Sequence, residues 1–149
     1  MLIPVEEIHA ELSRIGDAVA SASLVVPLRE CDRITKQGIR DNFTSSASPD
    51  NENWVPRKPR RGDDGHPLLM DRGPLIQAAT GGGSGHISRV NPRDLGVGVD
   101  LDVIPYARAH NYGYAANNLP QREFLGLRPE RVDECEEIIG DYVLAEVIG

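Results

Sequence analysis

Residues 95–127 read LGVGVDLDVIPYARAHNYGYAANNLPQREFLGL, and the class of fold turns on how they divide. The first nine alternate. Leu95, Val97, Val99, Leu101 and Val103 share one face, while Gly96, Gly98, Asp100 and Asp102 take the other. A period of two predicts a strand over 95–103 with one buried face. The glycines on the outer face invite close approach by another backbone. Pro105 stops the strand. YARAHNYG then predicts a short helix or turn finished by Gly113, YAANNLP an irregular loop, and REFLGL a short extended segment. Three of the chain's four Tyr and one of its two Phe fall in this stretch. Aromatics bury large areas and are favoured at interface centres, so the cluster marks a core or a recognition surface.

Helical periodicity brackets the strand. Val5, Ile8, Leu12, Ile15 and Val19 recur every three or four residues, which predicts a surface helix packed on the core. A second helix starts near Pro27 with Leu28, Cys31, Thr35, Ile39 and Phe43 on one face, and Thr44, Ser45, Ser46 and Ser48 end it. Pro129 opens a last helix, with Val132, Cys135, Ile139, Tyr142 and Val143 inward. Its outer side is acidic: Glu130, Asp133, Glu134, Glu136, Glu137, Asp141 and Glu146 must face solvent or a basic partner. Between the helices, HISRV (86–90) predicts a strand. PLLMDRGPLIQAAT (67–80) predicts two apolar segments around a turn at 71–73. The sum is one α+β domain over 1–149, a small antiparallel or mixed sheet packed against N-terminal helices and a C-terminal helix. Residues 55–67 and 81–85 read as flexible loops, and the GGGSG of 81–85 links elements of a sheet or forms a hairpin tip.

Composition narrows the function. A formal net charge of -7 argues against general binding along a nucleic-acid backbone. The one basic cluster, Arg57, Lys58, Arg60 and Arg61, reads as an arm that touches DNA or an acidic partner. With Arg89 and Arg93 it supports an alternative reading as a nucleic-acid-binding adaptor, which Asp63 and Asp64 oppose. A remoter alternative is a metal-dependent hydrolase using Asp100 and Asp102, side by side on the predicted strand. Cys31 and Cys135 sit on apolar helix faces and read as buried free thiols. Nothing in the sequence joins Cys31 to His110 as nucleophile and base, and His9, His66, His86 and His110 lack metal-ligand spacing. GGGSG lacks the Lys ending of a phosphate loop and the elbow pattern around Ser84. No catalytic set, cofactor or metal is predicted, so the expectation is not an enzyme. Acidic residues where a signal peptide carries basic ones, and no window of membrane-spanning length, predict a protein kept in the cytoplasm or in something assembled there.

Several short elements also carry a resemblance. Phe43, Pro49, Asp50 and Trp54 resemble an F....DPDG..W element, with Asn51 and Glu52 departing from its Gly. Leu69, Gly73 and Leu75 resemble L..TG.LR.S, with Asp71, Arg72 and Pro74 departing. Residues 95–99 resemble a V.IGT strand. Pro105, Tyr106, Ala107, His110 and Gly113 resemble PYA..H..G, with Tyr112 where an aromatic precedes the Gly. Arg122, Phe124, Leu125, Gly126 and Leu127 resemble RPFLGL, with Glu123 in place of Pro. In this order, over residues 39–142, they are similar to the phage virion morphogenesis family, the tail completion proteins of Mu-like and P2-like phages. The resemblance implies a structural protein at the tail end or head–tail junction. It implies a ring of copies, six being the candidate number, contacting the tail tube or the neck proteins. It implies a place in the virion, with host cytoplasm as the site of assembly. Trp54, Tyr106, His110, Tyr112, Arg122 and Phe124 are the residues expected to hold or present the binding region. Trp54, the chain's one Trp, is expected to fold the polar run 48–54 back onto the core.

Overall fold

Helices form where the periodicity predicts them, and the loops decide how they meet. The computed structural model describes residues 4–59, 61–62 and 65–149. Arg60 of the basic cluster, and Asp63 and Asp64 beside it, lie outside the described residues. The chain is α+β, with helices at both ends and an antiparallel sheet between them in the sequence.

Helix α1 spans Val5–Ser21, with Glu6 and Glu7 in its first turn, where the helix dipole favours acids. Helix α2 spans Val25–Ser45 and carries the core face: Leu28, Cys31, Ile34, Ile39 and Phe43 are buried. Thr35, expected on that face, is half-buried, and Ile34 takes its place. Ser46 stops α2 in the left-handed region, its N–H donating to Asn42 O and Phe43 O. Ala47 then bridges to Asn53, and Trp54 N donates to Ser46 O at 2.8 Å. This narrow loop returns Trp54 to α2, where its ring stands edge-on to Phe43 at 5.8 Å.

Helix α3 spans Pro74–Thr80, so the second apolar segment of 67–80 is helical. Gly73 at φ 83° and Gly81 at φ 90° bound it in conformations that favour glycine. The connector 81–85 therefore runs from a helix to a strand, and the expected link within a sheet or hairpin tip is corrected. Strands β1 (His86–Val90) and β2 (Leu95–Val99) pair antiparallel, His86 opposite Val99 and Val90 opposite Leu95. Among the described residues the sheet has these two strands. Val97 and Val99 face the core. On the other face nothing lies within 4 Å of a Cβ placed on Gly96 or Gly98, so the expected close approach does not occur within the chain.

The strand predicted to run to Val103 ends at Val99. Asp100 N donates to Gly85 O at 2.7 Å in the last rung. Gly85 then turns away at φ 84°, leaving residues 101–103 without a partner to pair with. Asp100 makes a turn instead: its Oδ1 accepts from Asp102 N at 2.9 Å, and its carbonyl accepts from Ile104 N at 2.8 Å. Leu101 and Val103 are consequently exposed. Asp100 and Asp102 do not stand side by side on a strand, which removes the geometry behind the hydrolase reading.

Helix α4 (Ala107–Tyr112) ends at Gly113, and a 3-10 turn follows at Ala115–Asn117. Helix α5 spans Pro129–Tyr142 and continues in a wider, π-type winding over Val143–Ile148. Helix α5 lies along α2, joined by Arg131 Nη2 to Asp41 Oδ2 at 2.9 Å. Its half-buried line runs through Arg131, Cys135, Ile139 and Tyr142, which leaves Val132, expected inward, 39% exposed. The two cysteines meet at this crossing, Cys31 Sγ lying 3.8 Å from Cys135 O. Burial and the adjacent Cys31 push the Cys135 thiol well above its ordinary pKa.

Helix α1 is the main departure. It contacts the 143–148 segment but buries no residue, and Val5, Ile8 and Leu12 are 61%, 45% and 61% exposed. The expected packing on the core is corrected: α2, α3, the sheet and residue Phe124 already fill it. Arg93, counted above among candidate DNA contacts, caps α1 instead, donating to Val19 O at 2.7 Å and to Ala22 O at 3.2 Å.

The core centres on Phe124, which is fully buried and packs on Phe43 with ring centroids 5.2 Å apart. Its segment is irregular, bends at Leu125 and Gly126 and has no strand beside it, so side chains satisfy its backbone. Asn111 Oδ1 accepts from Phe124 N and Leu125 N, each at 3.0 Å. Asn42 Nδ2 donates to Phe124 O and Gly126 O, each at 3.1 Å. The Trp54 indole donates to Glu123 O at 3.0 Å. Gly126 is required where Pro49 passes, because a Cβ there would lie 2.5 Å from Pro49 Cγ.

Two outcomes follow from this packing. Asn42→Ala leaves two carbonyls without their donor and lowers unfolding free energy by about 2–4 kcal/mol in urea titrations; a loss under about 0.5 kcal/mol would refute the clamp. The folded protein's thiols react slowly with a chromogenic disulfide reagent at pH 8, because Cys135 is protonated there and Cys31 is buried. Full reaction within seconds before denaturant is added would contradict that placement.

Candidate functional site

The search for a site starts from side chains that the core does not explain. Tyr106, just before α4, and His110, in its last turn, lie four residues apart with their rings edge-on at 6.0 Å. Gly113 ends the helix at φ 77° so tightly that a Cβ would come within 3.0 Å of Gln121 N. The chain therefore doubles back beside α4, and Arg122 N donates to His110 O at 2.8 Å. This sets the Arg122 side chain beneath His110. Arg122 is only 6% exposed, and its Nε donates to Val55 O at 3.0 Å.

The facing wall comes from the loop before α3. Arg57 donates to the His66 carbonyl, and its Nη1 lies 2.7 Å from His66 Nε2. His66 Nδ1 lies 2.9 Å from Pro67 O, which fits a ring that donates from Nδ1 and accepts at Nε2. Leu68, Leu69, Asp71 and Arg72 continue the wall. Between the walls lies a cleft of about 460 Å³.

Positive charge dominates this cleft. Burial, and then repulsion from Arg57, push the Arg122 pKa below its usual range. Burial, and then the Arg122 charge, push His110 below its ordinary value. Among the described residues Arg122 forms no ion pair, and the buried His110 Nδ1 has no hydrogen-bond partner. Asp71 lines the cleft without bridging to either.

The residues singled out in the sequence divide among the cleft, the core, a second groove and the exposed surface. Tyr106, His110, Arg122 and Arg57 come together at the cleft. Trp54 and Phe124 are core residues, buried at 5% and 0% exposure. Tyr112, 69% exposed, belongs elsewhere: with Tyr114, Arg108 and Leu101 it lines a separate open groove of about 910 Å³. Lys58 and Arg61 are exposed, so the described part of the basic cluster splits between cleft and surface. Among the described residues no group of three His, Cys, Asp or Glu side chains is placed to hold a metal ion. Sequence reasoning passed over Asn42 and Asn111, although both lie at buried helical spacing: Asn42 three residues after Ile39, Asn111 four after Ala107. Compared with known proteins, the chain matches no family model, no curated protein and no solved structure.

The cleft's electrostatics have a measurable sign. His110 titrates below 6.5, so as pH falls the unfolded chain takes up that proton first. Its contribution to stability is present above pH 6.5 and is lost as pH falls from there to the folded-state value. Arg122→Gln removes the second cause and leaves burial, so the His110 pKa rises part of the way back, as read from imidazole proton shifts in NMR titrations. An unchanged His110 pKa in a folded variant would break the coupling.

Proposed function

We propose that this chain is a structural protein of a phage virion that completes the tail or joins it to the head, acting as a ring of its own copies. The observation that carries the assembly reading is α1. An amphipathic helix whose Val5, Ile8 and Leu12 stay 45–61% exposed presents an apolar stripe that its own chain leaves uncovered. Surfaces of this kind are characteristic of contacts between chains. A ring requires two different patches on each copy that meet head to tail. The α1 stripe is one. The open face of β1 and β2, where exposed Ile87 and Arg89 stand opposite Gly98 and Gly96, is another uncovered patch on the same chain.

The phage assignment rests on the resemblance, and the spatial arrangement of its elements supports it. Phe43 and Trp54 of one element pack with Phe124 of another. His110 of a third bonds to Arg122. Leu75 of a fourth lies in the same core. Elements from Phe43 to Phe124 thus meet in one hub. The acidic outer row of α5 gives a ring an anionic face for a basic neighbour.

Native mass spectrometry over a wide concentration range, with and without purified tail tubes, tests the reading. The expected result is a closed oligomer or a fixed stoichiometry on tubes. Leu12→Asp, on an exposed position, keeps the circular dichroism spectrum and weakens association about tenfold or more, from loss of one buried Leu per contact. A strict monomer that ignores tubes of its own phage would sink the proposal.

A further inference from the structure

We infer that the cleft around Arg122 is a carboxylate-binding site, which takes one carboxylate carried on an apolar stem. The inference does not depend on the assembly reading. Its first ground is an uncompensated cation. A guanidinium in a residue 6% exposed is ordinarily met by an acid, and Arg122 meets none among the described residues. The fold uses only its Nε, on Val55 O. The other two nitrogens, Nη1 and Nη2, form the planar end of the fork, whose spacing matches the two oxygens of a carboxylate.

The second ground is the field around it. Arg57 and Arg72 line the same cleft, and among the described residues Asp71 is the one acid that does. Arg57 is engaged by His66 and adds its charge without being spare. Repulsion between Arg57 and Arg122 is relieved by one anion placed between them. The third ground is shape and chemistry. A volume of about 460 Å³ admits more than an isolated ion, and Leu68, Leu75 and Leu119 make part of the wall apolar. Asp71 opposes a second negative charge. A monoanion with a hydrocarbon stem satisfies all three features, and a phosphate dianion fails the last two. Such a group comes either from a free organic acid or from the acidic side chain of a protein segment.

The test uses the intact protein, ¹⁵N-labelled, with NMR titrations that follow backbone amides and the Arg122 Nε–H signal. Four probes are used: acetate, 3-phenylpropionate, inorganic phosphate, and a synthetic peptide of residues 129–142, which carries the acidic row of α5. The expected result is saturable shifts at Tyr106, His110, Leu119 and Arg122 with 3-phenylpropionate, about tenfold tighter than acetate because the stem is buried. Tighter binding by the peptide assigns the carboxylate to a neighbouring copy, and tighter binding by 3-phenylpropionate assigns it to a free acid. Arg122→Met abolishes the shifts. Arg122→Lys, which keeps the charge and loses the fork, weakens binding about tenfold. Arg72→Glu alters only an exposed position on the rim, so it stays folded even where Arg122→Met does not, and it weakens binding about fivefold. No saturable shift with any carboxylate, phosphate binding tighter than 3-phenylpropionate, or undiminished binding in Arg72→Glu would each overturn the assignment.

Discussion

The structure depends on holding one irregular segment, residues 122–126, inside a largely helical core. Backbone outside helix and sheet is costly in a core, because each buried N–H and C=O needs a partner. Here side chains provide them. Asn111 accepts from two consecutive amides, Asn42 donates to two carbonyls, and the Trp54 indole takes a third carbonyl. Asn42 and Asn111 are 0% and 3% exposed, so these bonds form where water does not compete. Once the segment is held, Phe124 fills the centre between Phe43, Trp54 and the α4 side of the core.

The cleft is a consequence of the same clamp. Fixing Phe124 between α2 and α4 leaves Arg122 two residues upstream, beside Val55, Arg57 and His66. Its Nε bond to Val55 O ties that loop to the hub, and among the described residues Nη1 and Nη2 have no hydrogen-bond partner. A Lys here has a single cationic tip and no rigid fork, and reproduces neither the tie nor the planar end. Packing and recognition therefore share one residue, and the segment's rigidity gives the cleft a fixed floor.

A different logic governs the periphery. Helix α1 is joined to the body through its contact with 143–148, the Arg93 bonds to its last carbonyls, and Leu24 N on Pro92 O. These hold its C-terminal end and leave its apolar stripe open. The two-stranded sheet behaves alike, with one face in the core and the glycine face bare. A two-stranded sheet gains little stability by itself and here relies on α2 and α3 behind it. Both open surfaces suit a protein whose folding is complete only in company, which is the sense of the assembly proposal.

Much of this was legible in the linear chain. The apolar spacing of α1, α2 and α5, the alternation of Leu95, Val97 and Val99, and the Pro and Gly that bound α4 and α5 each express a local rule: helical period, strand period, or a φ that few residues adopt. Local rules settle the kind of element and the α+β class. They do not settle partners. Alternation continued through Leu101 and Val103, yet β1 ended and Asp100 turned the chain. The stripe of α1 reads the same whether it meets its own core or another molecule. Asn42 and Asn111 read as interruptions of apolar faces until the segment they clamp is seen between them. The meeting of Cys31 with Cys135, and of Arg122 with His110 and Arg57, joins residues separated by long stretches of chain. Such pairings are chosen by which surfaces best exclude water and satisfy every buried polar group together, a condition on the whole packed molecule that no window of sequence contains.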